Sequence, residues 1–185
     1  MSEAALTDDA ERGATTSVGM IVALSALAMT FAALLLAYAI VRAQASAWPP
    51  PGEAPLPALW GWRMAATIAS LAGSAGMSTA ARRSRTGMAS RPGVLVAATA
   101  GVAFLAFQGG ALRALGQRGI APGDGIGASV VYALCLFHAI HVLAALAALG
   151  LLARAPTARR VAAVAWFWHL VTAAWIAVFV GVFVL

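Results

Sequence analysis

One stretch decides the fold of this chain: Ser129-Val-Val-Tyr-Ala-Leu-Cys-Leu-Phe-His-Ala-Ile-His-Val-Leu-Ala-Ala-Leu-Ala-Ala-Leu-Gly150. It carries no charge, and as a helix rising about 1.5 Å per residue it spans roughly 33 Å, about the hydrocarbon thickness of a bilayer. The stretch therefore predicts a membrane helix. His138 and His141 lie three residues apart, on neighbouring parts of one helix face. Because imidazoles are costly in lipid, this face is predicted to look into protein.

The composition of the whole chain also indicates an integral membrane protein. Hydrophobic residues make up 62% of the chain and charged residues 10%, and the mean hydropathy is +0.89, so there are too few polar side chains to cover a soluble domain. The net charge of +6 comes from twelve arginines, since lysine is absent. Membrane orientation and lipid headgroups explain these arginines better than nucleic acid does. Cys135 is the only cysteine, which excludes a disulfide framework.

Five apolar runs predict an all-α, polytopic membrane domain over residues 18–185, behind a polar tail of residues 1–17. The predicted spans are about 18–41, 59–81, 93–115, 128–153 and 161–184. Trp48-Pro-Pro-Pro-Gly52 separates the first two, because three prolines fix φ and cannot continue a helix. The second span has small residues at every fourth place, which let another helix approach closely: Ala66, Ser70, Ser74 and Ser78.

The uneven distribution of arginines between the loops predicts the orientation. The loop after the second span has four, from Arg82 to Arg91, and the loop after the fourth has three, Arg154, Arg159 and Arg160. By the positive-inside rule both loops face the cytoplasm, which places the N-terminus inside and the C-terminus outside. The candidate contacts for anionic lipid headgroups are then Arg82, Arg83, Arg159 and Arg160.

Three histidines are the main candidates for chemistry within the spans. His138, His141 and His169 together could bind a metal. Two histidines at i and i+3 cannot bind opposite faces of one haem, however, and no carboxylate lies near them in sequence to complete a di-iron site. Hydrogen-bonded packing between helices is the favoured interpretation of all three. Gln108 is interpreted as a hydrogen-bonding residue between helices, and Trp168 as a packing residue.

No catalytic, cofactor-binding or metal-binding residue is predicted in this chain. The sequence has no phosphate-binding glycine loop, no nucleophile beside a base and no metalloprotease pattern. Arg63 lies close enough to the membrane surface to extend its charge into water. A stand-alone membrane haem protein or a transporter remains the alternative from another class, with the histidines or Arg63 as its site. Internal repeats would favour the transporter, and none is seen.

Four short motifs occur in order along the chain. They are Tyr38 and Arg42 before Trp48-Pro-Pro-Pro-Gly52, then Gly101-Val-Ala-Phe-Leu-Ala-Phe-Gln108, then Phe137-His138-Ala-Ile-His141-Val142, and finally Trp168-His169-Leu-Val before Trp175-Ile176. In their order and spacing they resemble subunit III of the haem-copper respiratory oxidases, in its five-helix bacterial form. The likeness covers nearly the whole chain from about Val18.

This resemblance implies an accessory subunit of the bacterial inner membrane that holds no cofactor of its own. It would pack on the catalytic subunit I of a cytochrome c or quinol oxidase, in which haem and copper are expected, and it would retain phospholipids. The resemblance also implies that the first two helices stand apart from the later three.

The sequence departs from the family at several polar positions. Gapless placement puts Leu27 where the family has a buried glutamate, Ala111 in place of an acid, Thr172 in place of an aspartate and Arg63 in place of an asparagine. These replacements indicate a divergent branch and argue against a proton-related role. Within the family, the alternative is therefore the subunit-III-like partner of a nitric oxide reductase.

Overall fold

The computed structural model describes the backbone of residues 3–53, 55–154 and 156–184, and the side chains from residue 18 onward within those ranges. This part of the chain is all helical, with no strand. The fifth helix continues as a π-helical segment, Phe179–Val184. The helices are α1 (Glu3–Gln44), α2 (Trp60–Arg85), α3 (Arg91–Gly116), α4 (Ile126–Arg154) and α5 (Ala158–Val178).

Four helical segments in the described ranges are long and apolar enough to cross a membrane. They are Val18–Gln44, Arg91–Gly116, Ile126–Arg154 and Ala158–Val184, each with an apolar stretch of 18 residues inside it. The prediction of an all-helical, multi-pass membrane protein is therefore confirmed. The fifth span is not, because α2 is rich in alanine, serine and glycine and carries Arg63 as well as the arginines of its last turn.

The limits of the helices follow local signals in the sequence. α1 begins at Glu3, inside the segment predicted as a polar tail, and ends before the proline run. α3 starts at Arg91 with Pro92 in its first turn, where the missing N–H costs no helical hydrogen bond. Thr157 caps α5, since its Oγ1 accepts a hydrogen bond from the Arg160 N–H at 3.3 Å.

The closest approach between helices is that of α2 and α3. A Cβ added at Gly76 would lie 2.8 Å from the backbone oxygen of Gly93, so neither position has room for a side chain. Ala80 and Ala97, both fully buried, continue the contact. Small residues thus bring the two backbones together, the mode of packing that replaces the hydrophobic effect between helices in lipid.

α1 packs more loosely on the bundle than the other apolar helices do. Only 6% of its apolar window is buried, against 28% to 33% for the other three apolar spans. Its buried side chains are Phe31 and Tyr38. α2, by contrast, packs closely against α3 and α5. The expectation that the first two helices stand apart together is therefore wrong for α2, because its small residues fit against those two helices.

Candidate functional site

His169 of α5 hydrogen-bonds to two serines of α2. Its Nδ1 lies 2.7 Å from Ser74 Oγ, and its Nε2 lies 3.5 Å from Ser78 Oγ. The two acids whose side chains are described, Glu53 and Asp124, accept hydrogen bonds from backbone N–H groups elsewhere and do not orient this imidazole. The arrangement is therefore a hydrogen bond between helices, and it lacks the third group of a nucleophile–base triad.

Two further hydrogen bonds join α2 and α5. Trp175 Nε1 donates to Thr67 Oγ1 at 3.0 Å, and Thr172 Oγ1 donates to the backbone oxygen of Ser70 at 3.4 Å. We call this set the α2–α5 seam: Thr67, Ser70, Ser74 and Ser78 with His169, Thr172 and Trp175. The small-residue row predicted on the second span therefore faces another helix of the same chain.

Trp168 fills the space between α2, α3 and α5. A Cβ at Gly73 would lie 2.7 Å from the indole Nε1, and one at Gly101 would lie 2.9 Å from Cη2. The indole is buried. The two glycines thus make room for the ring, an arrangement consistent with the packing role predicted for Trp168.

His138 is completely buried among aromatic rings. Its ring centroid lies 5.1 Å from that of Phe104, 5.5 Å from that of Trp175 and 5.9 Å from that of Phe31. Neither ring nitrogen has a hydrogen-bond partner among the described residues. The prediction of hydrogen-bonded packing therefore differs from the structure at this histidine, because the motif residues Phe104 and Trp175 occupy the positions where polar partners would have to lie.

His141 makes a local hydrogen bond. Its Nδ1 lies 2.7 Å from the backbone oxygen of Phe137, one turn earlier in α4. Its ring packs against those of Phe137 and Phe31, with centroid distances of 4.6 Å and 5.5 Å. His141 therefore contacts α1 through ring packing, whereas its hydrogen bond stays within α4.

The three histidines do not form a joint site. His169 belongs to the α2–α5 seam, His138 to an aromatic cluster and His141 to the contact between α4 and α1. Among the described residues there is no group of three His, Cys, Asp or Glu side chains that could hold a metal ion. The arrangement thus gives no support to a metal bound by all three histidines.

Gln108 and Cys135 connect α3 to α4. Both residues are buried, and the Gln108 side chain lies next to the Cys135 thiol. The hydrogen bond between helices that was predicted for Gln108 stays a prediction. Cys135 was not expected to take part, because a single cysteine in an apolar run gives no signal of its own.

At one end of the bundle, arginines border several depressions, two of which adjoin Trp166. We call this the arginine-rich end; it holds Arg82, Arg83, Arg159 and Arg160. A groove of about 520 Å³ between α1 and α5 is lined by Leu24, Arg159 and Trp166 among others. A second cleft, of about 260 Å³, lies between α2 and α5 and is lined by Arg82, Arg85 and Trp166.

The four arginines predicted to contact lipid divide between different roles. Arg82 and Arg159 line the depressions, whereas Arg83 Nε donates to the backbone oxygen of Ala89 at 2.8 Å and closes the loop between α2 and α3. Arg160 is exposed in the first turn of α5. Arg85 and Trp166 were not among the lipid candidates. The signals in the sequence were that Arg85 lies one turn after Arg82 and that tryptophan is common at membrane interfaces.

At the opposite end, which we call the proline-loop end, Glu53 holds the start of α4. Its carboxylate accepts hydrogen bonds from the backbone N–H groups of Ile126, at 2.9 Å, and Gly127, at 3.2 Å. A carboxylate at a helix N-terminus also interacts favourably with the helix dipole. The loop after α1 is thereby fastened to α4, which was not predictable because the two lie more than seventy residues apart.

A cavity of about 290 Å³ opens beside this contact. It is lined by Tyr38, Arg42, Trp48, Glu53 and Arg63 among others. Arg42 Nη1 donates to Tyr38 Oη at 3.1 Å, and its guanidinium lies 5.7 Å from the Trp48 ring centroid. The family motif residues Tyr38, Arg42 and Trp48 therefore come together in one wall of the cavity.

The described geometry provides helix packing, membrane-facing grooves and one charged cavity. The side chains of the α2–α5 seam pack against one another, and so do the rings of the aromatic cluster. The described part of the chain brings no nucleophile, base and orienting group together. No protein-family model and no curated protein match this chain.

Proposed function

We propose that the chain is an accessory subunit, equivalent to subunit III, of a bacterial haem-copper terminal oxidase in aerobic respiration. In this role it stabilises the catalytic subunit and retains lipids, and the haem and copper lie in that partner. The observation that carries the proposal is the convergence of the motif residues. Phe104, His138 and Trp175 come from three separate motifs, and their rings pack within 5.0–5.5 Å of one another.

Convergence supports the resemblance because short motifs that match by chance have no reason to meet in space. Gly101 and Trp168, from the third-span and last-span motifs, also lie in contact, and Tyr38, Arg42 and Trp48 meet at the proline-loop end. Several residues that carry the likeness thus lie in contacts between helices.

We further propose that α2 is the fifth membrane span. α2 packs along α3 and α5, so it must lie at the same depth as these two apolar helices. Its Thr67, Ser74 and Ser78 hydroxyl groups bond to α5 in the α2–α5 seam. Ile68 and Leu71 are exposed and would face lipid. Satisfying its hydroxyl groups inside the bundle is what permits a helix of low hydropathy to cross the bilayer.

The orientation proposed has the arginine-rich end in the cytoplasm. The loops there hold seven arginines, from Arg82 to Arg91 and from Arg154 to Arg160, against Arg42, Arg113 and Arg118 in the loops of the other end. This places the N-terminus in the cytoplasm of a bacterial cell and the C-terminus on the periplasmic side of the inner membrane.

Lipid retention is supported by the two depressions at the arginine-rich end. The groove between α1 and α5 combines a mostly apolar lining with Arg159, the pairing needed by an acyl chain and an anionic headgroup. The cleft between α2 and α5 offers Arg82 and Arg85, and each arginine near an anionic surface is worth about 1 kcal/mol. Trp166 separates the two depressions and is exposed, as tryptophans at membrane interfaces commonly are.

The test is to tag the chain in its native membrane and to purify it in a mild detergent. We expect a polytopic haem protein to co-purify, with reduced-minus-oxidised spectra and a copper assay telling an oxidase from a nitric oxide reductase. As the control, the chain expressed alone should show no Soret absorption. Stoichiometric haem on the chain expressed alone would overturn the proposal in favour of a stand-alone protein. So would quantitative recovery of the tagged chain from its native membrane without any haem protein.

A further inference from the structure

Arg63 carries a buried charge that has no carboxylate partner among the described residues. The residue is only 5% exposed, near the start of α2. Among the described residues its guanidinium makes one hydrogen bond, from Nη2 to the backbone oxygen of Pro57 at 3.4 Å, and lies 3.5 Å from the Phe183 ring centroid. A guanidinium has five N–H donors, so most of its donor capacity is unused by these contacts.

The acid nearest in the fold is already engaged. Glu53 lines the same cavity as Arg63, but each of its carboxylate oxygens accepts a hydrogen bond from the first residues of α4. The remaining charged group of the wall is Arg42, which bonds to Tyr38. The described wall thus holds two arginines and one carboxylate, and that carboxylate is engaged by α4.

The cavity has the size and chemistry for a small anion. Its volume of about 290 Å³ is near the lower end of the range of roughly 300–1,000 Å³ found for small-molecule sites. Arginine binds phosphate in a bidentate manner, through two parallel N–H groups of its planar fork. An oxyanion in the cavity would therefore use the donors of Arg63 that the protein leaves unpaired.

We propose that this cavity binds an oxyanion, the phosphate group of a phospholipid or soluble phosphate, through Arg63. The site lies at the proline-loop end, and its existence does not depend on which complex the chain belongs to. Arg63 binds the oxyanion directly, while Arg42 contributes charge to the wall and Glu53 keeps the start of α4 in place.

The experiment measures thermal unfolding of the purified, delipidated chain in detergent micelles. The probes are sodium phosphate, sodium chloride at matched ionic strength, short-chain phosphatidylglycerol and a short-chain diacylglycerol without phosphate. We expect phosphatidylglycerol to raise the Tm of the wild type, and the two phosphate-free probes to leave it unchanged. If sodium phosphate also raises the Tm above that in sodium chloride, the site binds soluble phosphate as well. If phosphatidylglycerol alone raises the Tm, the site binds lipid.

Variants then connect the response to Arg63. Arg63→Met should abolish the Tm rise and, because it removes an unpaired charge, should not lower the Tm of the ligand-free chain. Arg63→Lys keeps the charge but lacks the planar guanidinium, so it should weaken the apparent affinity for the phosphate-bearing probe about tenfold. If Arg63→Met does not fold, the wild type is compared with Arg63→Lys instead. Arg118→Met, in an exposed loop at the same end, is the matched control and should respond like the wild type.

Two outcomes would overturn the proposal. One is a wild-type chain whose Tm responds to neither phosphate-bearing probe. The other is an equal response in the wild type and in both Arg63 variants.

Discussion

Individual polar residues in this protein are placed where another helix can satisfy them. His169 is the clearest example, since both of its ring nitrogens face serine hydroxyls of α2. In a membrane such hydrogen bonds have an average coupling of about 0.6 kcal/mol and a maximum of about 1.7 kcal/mol, because alternative partners exist in the unfolded state. Several of them along one contact can still fix how two helices meet.

The bond between Ser74 and His169 can be measured by a double-mutant cycle. We expect His169→Ala and Ser74→Ala each to lower the unfolding free energy in detergent, with a coupling of about 0.6 to 1.7 kcal/mol between them. Thr99→Ala is the matched control, since its exposed hydroxyl bonds only to its own helix and its removal should change little. Strict additivity of the two seam variants would mean that the hydrogen bond does not stabilise the bundle.

His138 leads to the opposite expectation. Because neither ring nitrogen has a described partner and aromatic rings surround it, His138→Phe should be nearly neutral or stabilising in the isolated chain. His138→Ala should cost about 3–5 kcal/mol, the range for truncating a large buried ring. Chemical unfolding in detergent compares the two. If the phenylalanine variant loses as much stability as the alanine variant, a ring nitrogen of His138 has a partner.

At the scale of elements, α2 differs from the other four helices in how it is held. Its contact with α3 depends on Gly76 and Gly93, where the backbones are too close for any Cβ, and its contact with α5 depends on hydrogen bonds. The residues that lower its hydropathy are therefore the same residues that allow it to pack. Removing either kind of contact should release α2 from the bundle.

Glycine substitutions test the close approach directly. Gly76→Ala should destabilise the chain by about 1–3 kcal/mol, because the new methyl group would overlap the Gly93 backbone oxygen. Gly109→Ala is the control on α3; its Cβ would meet nothing within 4 Å, and higher helix propensity should stabilise the chain by up to about 1 kcal/mol. Equal effects at the two positions would argue against the close packing of α2 on α3.

At the scale of the whole molecule, the chain is a four-helix body with α1 beside it. Because only a small part of α1 is buried, a long apolar face of this helix is available to lipid or to the proposed catalytic subunit. The arginine-rich end and the proline-loop end differ in charge, and this difference predicts which end faces the cytoplasm. If α2 crosses the membrane as proposed, the loops after α1 and after α2 lie on opposite sides.

Cysteine labelling checks both the orientation and the crossing of α2. An impermeant maleimide added from outside should modify Pro51→Cys, in the proline loop, and spare Met88→Cys, which lies between α2 and α3. Native Cys135 is buried and serves as the internal baseline. The reverse pattern would contradict the orientation, and labelling of both or of neither in intact cells would contradict a membrane-spanning α2.

The sequence by itself determined the helical class, the membrane environment and the positions of the helices to within a few residues at most ends. These features depend on local properties, namely apolar length, prolines and glycines, which act along the chain. α1 was the exception, because the helix continues back to Glu3 through residues with no apolar face.

Only the tertiary structure decided which residues meet. It paired His169 with the serine row, left His138 among rings, brought Gln108 next to Cys135 and placed Arg63 in a cavity whose one described carboxylate, Glu53, is engaged by α4. The sequence lists such groups but not their neighbours, since a small or polar residue on a helix face can point to lipid, to a partner or to another helix of the same chain. The choice depends on how closely the backbones can approach, and at Gly76 and Gly93 that closeness comes from two residues on different helices acting together.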